Sequence, residues 1–555
     1  MNTHIYNKIV TSVLAGLLML APCLLSSCDE FLDEMPDNRT TIDKEKKVKD
    51  ILTSAYPDHE YGVVCEFSSD NVDEFNNTNG SSNRWFMQLG HWEDITETFN
   101  EGPNNLWTGY YSTAVTANMA LEGIENLGGP HNALLTKCKG EALVLRAYAH
   151  FMLANIFCKA YDPATAANVL GVYYQYDTGT EVGVVNPRGN LQEVYEKIEA
   201  DLEEGLPLLD DDYASPKYHF NRKAAYAFAS RFYLYAGKWD QCIKYANLCL
   251  GEAPQSMLRD WVAYAELATS GTARPLNYVS TENNCNLLMT ACYSRLGTMF
   301  LNYNSYKHFA HGQYINGNET FGAAHIWGEG KNAYKDGGTS YYPSGNDLGY
   351  CVARRCPYLF ETTDPVAGTG YYRTIFPAFT ADDCLLERAE AYIHLKQYNK
   401  ACEDMNLWMH NYTTNETLIL TPDTIQKFYS KVGYCYEITE EDQTGMVSTI
   451  KKHLHPVGFT IEAEGSVDEC MYQCLLDMRR IETIHRGMRW FDIKRFGMEI
   501  KRRMMENHVP GRLVDVLTVD DERKAIQVPQ QARDAGVTPN PKLRNLMQLS
   551  EEEDF

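Results

Sequence analysis

Two stretches of the chain repeat one pattern of helix, turn and helix. Residues 224–250 read AAYAFASRFYLYAGKWDQCIKYANLCL, and residues 384–409 read CLLERAEAYIHLKQYNKACEDMNLWM. A shift of 159 positions aligns Trp239 with Tyr398, the aromatic residue that follows the polar turn in each copy. On each side of that turn, apolar residues recur with the period of a helix face. The repeat therefore predicts two helical hairpins.

Two further segments carry apolar residues at alternating spacings of three and four, which again indicates one face of a helix. The positions are Ala142, Leu145, Ala149, Met152 and Ile156 in one segment and Leu191, Val194, Ile198, Leu202 and Leu206 in the other. The two hairpins of residues 224–250 and 384–409 resemble the tetratricopeptide repeat. The unit of that repeat is about 34 residues long, and its copies stack into a scaffold. We predict an all-α dominated fold, in which tetratricopeptide-like hairpins near residues 105–250 and 380–497 carry long ordered loops and minor β content.

Composition restricts the class of protein. The chain has 555 residues, 44% hydrophobic and 22% charged, which is close to the average for globular proteins. These values exclude a wholly disordered, collagen-like or multi-spanning membrane chain. The formal net charge is −24, and a body this acidic repels phosphate backbones. Nucleic acid is therefore not an expected partner.

The amino terminus has the features of a secretory signal. Lys8 precedes an apolar run over residues 9–25, which is short for a membrane span and fits the apolar region of a signal peptide. Residues 25–28 read LSSC, which resembles a bacterial lipobox, where the cysteine is lipidated and the preceding peptide bond is cut. An ordinary secretory signal is the alternative. The predicted divisions are a signal peptide over residues 1–27, lipidated Cys28 with a tether over residues 28–45, and one domain over residues 46–555.

The carboxyl-terminal part carries a dense motif. Residues 478–497 read MRRIETIHRGMRWFDIKRFG. This resembles the end motif of the SusD-like (RagB/SusD) family of outer-membrane lipoproteins, in which R-R-x-E-L, E-G-x-R-W-x-D-L and R-x-G recur. The matching residues are Arg479, Arg480, Glu482, Gly487, Arg489, Trp490, Asp492, Arg495 and Gly497. Thr483 replaces the usual Leu, and Arg486 replaces the Glu before the glycine.

The resemblance implies a function as well as a fold. It implies a helical body with four tetratricopeptide-like hairpins, loops that form a ligand face, and a lipid-anchored position in the outer membrane at the cell surface. It also implies a partner, a SusC-like TonB-dependent porin that the lipoprotein covers as a lid. Members of the family capture oligosaccharides, and some capture peptides, for import.

Between the repeat copies lies a loop-rich insertion, residues 255–380. Residues 293–342 alone hold 11 aromatic residues and eight Gly, and residues 70–107 hold three of the eight Trp. Flat rings cover the apolar C–H face of a sugar, while Asn, Asp and Arg bond its hydroxyl groups. For each ring, packing within the loop layer is the alternative. The predicted ligand-binding residues are Asp73, Asn83, Arg84, Trp85, Trp92, Tyr303, Tyr306 and Trp327, with Asn71 as a further polar candidate.

No enzyme motif is present, since G-x-S-x-G, H-E-x-x-H and the P-loop pattern are all missing from the sequence. His308 and His311, like His453 and His455, lack a third ligand nearby, so we predict neither a metal nor another cofactor. The rival hypotheses are an all-helical glycoside hydrolase with two catalytic carboxylates, and an adaptor whose hairpins hold a protein. We predict a non-enzymatic protein that captures an oligosaccharide.

Overall fold

Short polar residues begin the main helices. The side chains of Asn132, Asn190, Asn221, Thr380 and Ser466 each accept a hydrogen bond from a backbone N–H of the first helical turn. Such caps satisfy N–H groups that have no partner within the helix. The helices that follow bury their apolar stripes between neighbours, which confirms the all-α dominated prediction.

The computed structural model describes residues 42–75, 84–97, 99–179, 185–268, 271–299, 308–329, 339–342, 350–415, 417–437, 447–506 and 509–541. Residues 45–555 form one compact unit. The α-helices of the described residues are α1 Glu45–Thr53, α2 Gly62–Ser68, α3 Arg84–Gly90, α4 Pro103–Asn126, α5 Ala133–Phe157, α6 Leu191–Gly205, α7 Arg222–Tyr235, α8 Trp239–Leu250, α9 Trp261–Glu266, α10 Ala273–Tyr278, α11 Leu296–Met299, α12 Gln313–Glu319, α13 Ala381–His394, α14 Tyr398–Tyr412, α15 Pro422–Tyr429, α16 Val467–Thr483, α17 Arg489–Arg495 and α18 Gln530–Asp534.

Strands of the described residues form two larger sheets and two small hairpins. They are β1 Asp73–Phe75, β2 Asn286–Tyr293, β3 Phe309–Ala310, β4 Ala324–His325, β5 Gly328–Glu329, β6 Thr339–Tyr342, β7 Tyr350–Ala353, β8 Leu359–Asp364, β9 Thr369–Thr380, β10 Ile500–Glu506 and β11 Val509–Leu517. One sheet has the order β11-β10-β1-β3, and β1 runs parallel to β10. The other has the order β2-β9-β8 and is antiparallel throughout.

The two predicted repeat hairpins are present as α7–α8 and α13–α14. Each turn contains a residue with a left-handed backbone, Gly237 (φ 72°) in the first and Lys396 (φ 57°) in the second. These two residues are separated by the same 159 positions that align the sequences. Within the second hairpin, the guanidinium of Arg388 donates to both carboxylate oxygens of Asp404, at 2.9 and 2.6 Å.

The end motif lies in the core and ties distant segments together. Arg489 donates to both oxygens of the Asp70 carboxylate at 2.9 Å. The helical spacing of Glu482 and Arg486 predicts an ion pair between them, but Arg486 pairs instead with Asp383, since α16 ends at Thr483 before reaching Arg486. The motif is therefore a structural signature.

No helix among the described residues is long and apolar enough to cross a membrane. Thirteen cysteines of the described part are buried with free thiols. Burial raises the pKa of thiols such as Cys65 and Cys242, which keeps them protonated. These cysteines pack in the core.

Candidate ligand-binding surface

The tryptophans that the sequence singled out are covered by other parts of the chain. Trp327 is 0% exposed, stacks on the His325 ring at 4.5 Å and meets the edge of Trp408 at 5.5 Å. Trp85 is 2% exposed and packs against Phe99, with 4.4 Å between ring centroids. Contrary to the sequence-based expectation, neither ring has a face open to a ligand, because hydrophobic packing has taken up both.

Trp92 is also buried, in a left-handed backbone conformation (φ 56°). Its indole N–H donates to the Ser68 carbonyl at 2.8 Å, and the guanidinium carbons of Arg502 and Arg523 lie 4.8 and 5.6 Å from the ring. The ring borders a cavity of about 270 Å³, which Ile526 also lines. Trp92 is therefore an arginine-stacking residue at a cavity wall and lacks the predicted exposed ring face.

The predicted polar residues separate into buried and exposed positions. Asp73 is buried and accepts hydrogen bonds from Arg503 at 3.0–3.2 Å, so a sugar hydroxyl cannot reach it. Asn71 is likewise buried and bonds Arg480 at 2.9 Å. Arg84, the first residue of α3, has an exposed side chain. The predicted residues Asn83, Tyr303 and Tyr306, and the predicted lipidation site Cys28, lie outside the described residues.

Exposed rings are found instead on the hairpin of β8 and β9. Tyr358 is 39% exposed, Phe360 41% and Tyr371 48%, and all six residues of β8 are exposed. Strand β9 begins beside β8 and continues into the body, where it pairs with β2. The hairpin is thus an extension of a sheet whose other end is held in the core.

Strand register divides the hairpin side chains into two faces. Phe360 is paired with Tyr372, and Tyr358 precedes Phe360 by two residues, so these three rings lie on one face. The ring of Tyr372 is 5.5 Å from Tyr358 and 5.4 Å from Phe360. We name this face, with Arg295 beside it, the aromatic platform. The guanidinium carbon of Arg295 lies 4.5 Å from the centroid of the Tyr372 ring.

The opposite face carries a second set of ring and arginine contacts. The Arg373 guanidinium lies 3.9 Å from the Tyr293 ring and donates to the Tyr293 hydroxyl at 2.8 Å. Tyr371 meets the Tyr293 ring edge to face at 5.5 Å. Arg373 also forms an ion pair with Glu361. Arg373 is therefore paired with both Tyr293 and Glu361 on this face.

Trp85 is connected to the platform through Phe99 and Arg295. Its ring packs on Phe99, and the Arg295 guanidinium lies 5.4 Å from Phe99 on the way to Tyr372. Cation–π contacts of this kind are worth roughly 0.5–2 kcal/mol each. A continuous stack therefore runs from the buried Trp85 to the exposed rings, so the predicted ligand residue supports the platform and does not form its surface.

The platform suits a ligand with an apolar face and polar rim. Tyr358 and Phe360 offer flat apolar surface, and the Tyr hydroxyls and guanidinium offer hydrogen-bond donors. Residues 358–373 read YLFETTDPVAGTGYYR, in which Tyr358 and Phe360 lie two positions apart before a turn that contains glycine, a pattern that favours a hairpin with both rings on one face. The aromatic segment predicted above, residues 293–342, ends before this hairpin.

A family model described as SusD-like, "Starch-binding associating with outer membrane", matches residues 30–234. Solved structures extend the likeness along the chain. A SusD superfamily protein from Bacteroides vulgatus has a TM-score of 0.61 at 16% identity, covering 90% of this chain and 100% of its own. A SusD superfamily protein from Bacteroides thetaiotaomicron has a TM-score of 0.59 at 16% identity, with the same coverage.

The chain is thus similar to the SusD-like family model over residues 30–234, and its fold is that of SusD superfamily structures. A third structure, a SusD-like carbohydrate binding protein from Bacteroides vulgatus, has a TM-score of 0.56 at 16% identity and covers 90% of this chain and 98% of its own. No curated protein matches the sequence. The SusD-like family model includes Trp85 and Phe99, whereas the hairpin of β8 and β9 lies beyond the residues it matches.

Proposed function

We propose that this SusD-like protein is a glycan-binding lipoprotein of the outer membrane, which captures oligosaccharides and delivers them to a TonB-dependent porin. The observation that carries the proposal is the aromatic platform, where two exposed rings and an arginine lie on one face of a hairpin. The family description and the carbohydrate-binding relative support the ligand class. The LSSC sequence supports the lipid anchor at Cys28.

In this function the protein binds the oligosaccharide and does not cleave it. Stacking on flat rings stabilises a bound sugar without any group that would attack its glycosidic bond. Hydrolysis would instead require two carboxylates about 5–10 Å apart across the sugar. The platform's own face presents rings and Arg295, and the Glu101 carboxylate that bonds the Arg295 backbone is buried.

Binding measurements on the purified chain test the proposal. Calorimetry with maltoheptaose, chosen for the starch-binding description of the family, is followed by a panel of neutral plant and host oligosaccharides and by short peptides. Phe360→Ala and Tyr358→Ala should each weaken the affinity for the bound glycan by roughly fivefold, since one ring contact is worth about 1 kcal/mol. Reaction products are analysed in parallel, so cleavage would identify a hydrolase.

Tyr176→Ala is the matched control, because this tyrosine is also about half exposed but lies beside Arg146, on a different part of the chain. Its affinity should equal that of the unaltered protein. Equal losses in all three variants, or binding of peptides alone, would contradict glycan capture at the platform. Incorporation of labelled palmitate into the full-length chain, and its loss in Cys28→Ser, tests the anchor.

A further inference from the structure

A buried carboxyl group lies beneath the aromatic platform. Glu101 directly precedes Gly102, the N-cap residue of α4, and is 2% exposed. One of its carboxylate oxygens accepts a hydrogen bond from the backbone N–H of Arg295. Since the Arg295 guanidinium lies between Phe99 and Tyr372, this bond fixes the backbone from which the platform's arginine extends.

The second carboxylate oxygen, Oε2, has no hydrogen-bond partner among the described residues. A buried carboxylate with one unsatisfied oxygen holds its proton more strongly than it would in water. Burial accordingly raises the pKa of Glu101 to about 7, while the Arg295 N–H and its positive charge act in the opposite direction. Other titratable groups near it include His59, which pairs with Asp58 at 2.7 Å, and the buried Cys292 thiol.

We propose that Glu101 is a positioning residue for the aromatic platform, and that ionisation of its carboxyl group makes oligosaccharide binding dependent on pH. This inference rests on the proposed function, because it concerns the same surface. The ionised carboxylate makes a charge-assisted hydrogen bond to the Arg295 N–H, which is stronger than the bond that a neutral carboxyl makes. Protonation weakens this hydrogen bond, so the position of Arg295 is less fixed. The ring of Tyr372, which contacts the Arg295 guanidinium, is then less fixed as well.

The affinity for the oligosaccharide should rise with pH, because the ionised carboxylate makes the stronger hydrogen bond to Arg295. Above about pH 7 the carboxylate is ionised and the platform is held, and below it the platform is released. The affinity for maltoheptaose, or for the neutral oligosaccharide of the panel that binds, should be roughly five- to tenfold weaker at pH 5.5 than at pH 8.5. Glu101→Gln keeps an oxygen acceptor but has no proton to lose, so its affinity should be the same at both values.

Amide hydrogen exchange supplies a readout that needs no ligand. After correction for the intrinsic rate, protection of the Arg295 amide should fall between pH 8.5 and 5.5 in the unaltered protein and stay constant in Glu101→Gln. Arg295→Ala should bind more weakly and lose the pH dependence of affinity, because the link between carboxyl and ring is gone. A general loss of structure would instead lower protection throughout the chain.

Glu60→Gln is the matched control. Burial raises the pKa of Glu60 to about 7 as well, but this carboxyl bonds the Tyr110 and Thr290 hydroxyls, whereas Glu101 bonds the Arg295 N–H. The Glu60→Gln variant should keep the pH dependence of both affinity and Arg295 protection. The inference is overturned if the unaltered protein binds equally well at both pH values, or if Glu101→Gln retains the pH dependence. Absence of binding at every pH, with Arg295 protection still dependent on Glu101, overturns the proposed function and supports the coupling.

Discussion

Single buried carboxyl groups determine how the stability of this protein depends on pH. Glu60 is enclosed by the hydroxyl groups of Tyr110, Tyr148 and Thr290, at 2.7, 3.5 and 3.0 Å from its carboxylate oxygens. Burial outweighs these hydrogen bonds and raises its pKa to about 7. The hydroxyl groups can donate to the carboxylate or accept from the neutral acid, so the site tolerates both forms. The folded state nevertheless prefers the protonated one.

Glu60→Gln should therefore make the unfolding free energy less dependent on pH. In the unaltered protein, the unfolded chain ionises near pH 4.5 and the folded one near pH 7. Stability is present in full below pH 4.5 and falls by about 3 kcal/mol as pH rises through that window, then levels off. The variant lacks this fall. Urea unfolding at half-unit steps from pH 4.5 to 8 measures the difference, and parallel curves for the two proteins would contradict the assignment.

At the scale of helices and strands, the turn of each repeat hairpin needs a left-handed residue. Gly237 adopts φ 72° without strain, and a side chain placed there would meet no atom within 4 Å. Any effect of adding a methyl group at this position therefore comes from the backbone alone. Gly317, within α12, supplies the opposite case, because it has the same open surroundings and no positive φ.

Gly237→Ala should lower the unfolding free energy by about 1–2 kcal/mol, the strain of a left-handed backbone with a Cβ. Gly317→Ala should raise it by about 0.5–1 kcal/mol, because alanine loses less entropy than glycine in a helix. Chemical denaturation of both variants at one pH gives the comparison. Effects of the same sign would show that the backbone conformation at Gly237 does not set the result.

The helical hairpins could be predicted because their signal is local. An apolar stripe and a polar turn are both read within about thirty residues. The sheets could not be predicted in this way. Strand β1 pairs with β10 and β2 pairs with β9, and a local sequence pattern does not indicate which distant segments pair. The exposure of the aromatic rings could not be predicted for a related reason. Residue type identified Trp85 and Trp327 as rings, but only the tertiary packing decides that both are buried and that Phe360 is exposed.

For the molecule as a whole, the net charge of −24 acts on any charged ligand that approaches the platform. Arg295 and Arg373, on the two faces of the hairpin, carry positive charges that oppose it. The distances over which the two contributions act are different. At about 0.01 M salt the Debye length is about 30 Å, so the charge of the whole body reaches the platform, whereas at 0.15 M it is about 8 Å and nearby groups dominate.

A sulfated oligosaccharide should consequently bind better, relative to its neutral parent, as salt rises from about 0.01 to 0.15 M. Added salt screens the repulsion from the acidic body first, while the attraction to Arg295 at the platform itself is screened less. The neutral parent is the internal control, because its affinity should not change with salt. Calorimetry with both compounds at the two concentrations makes the comparison. A sulfated ligand that binds worse as salt rises would show that the attraction to the arginines outweighs the repulsion from the acidic body even at long range.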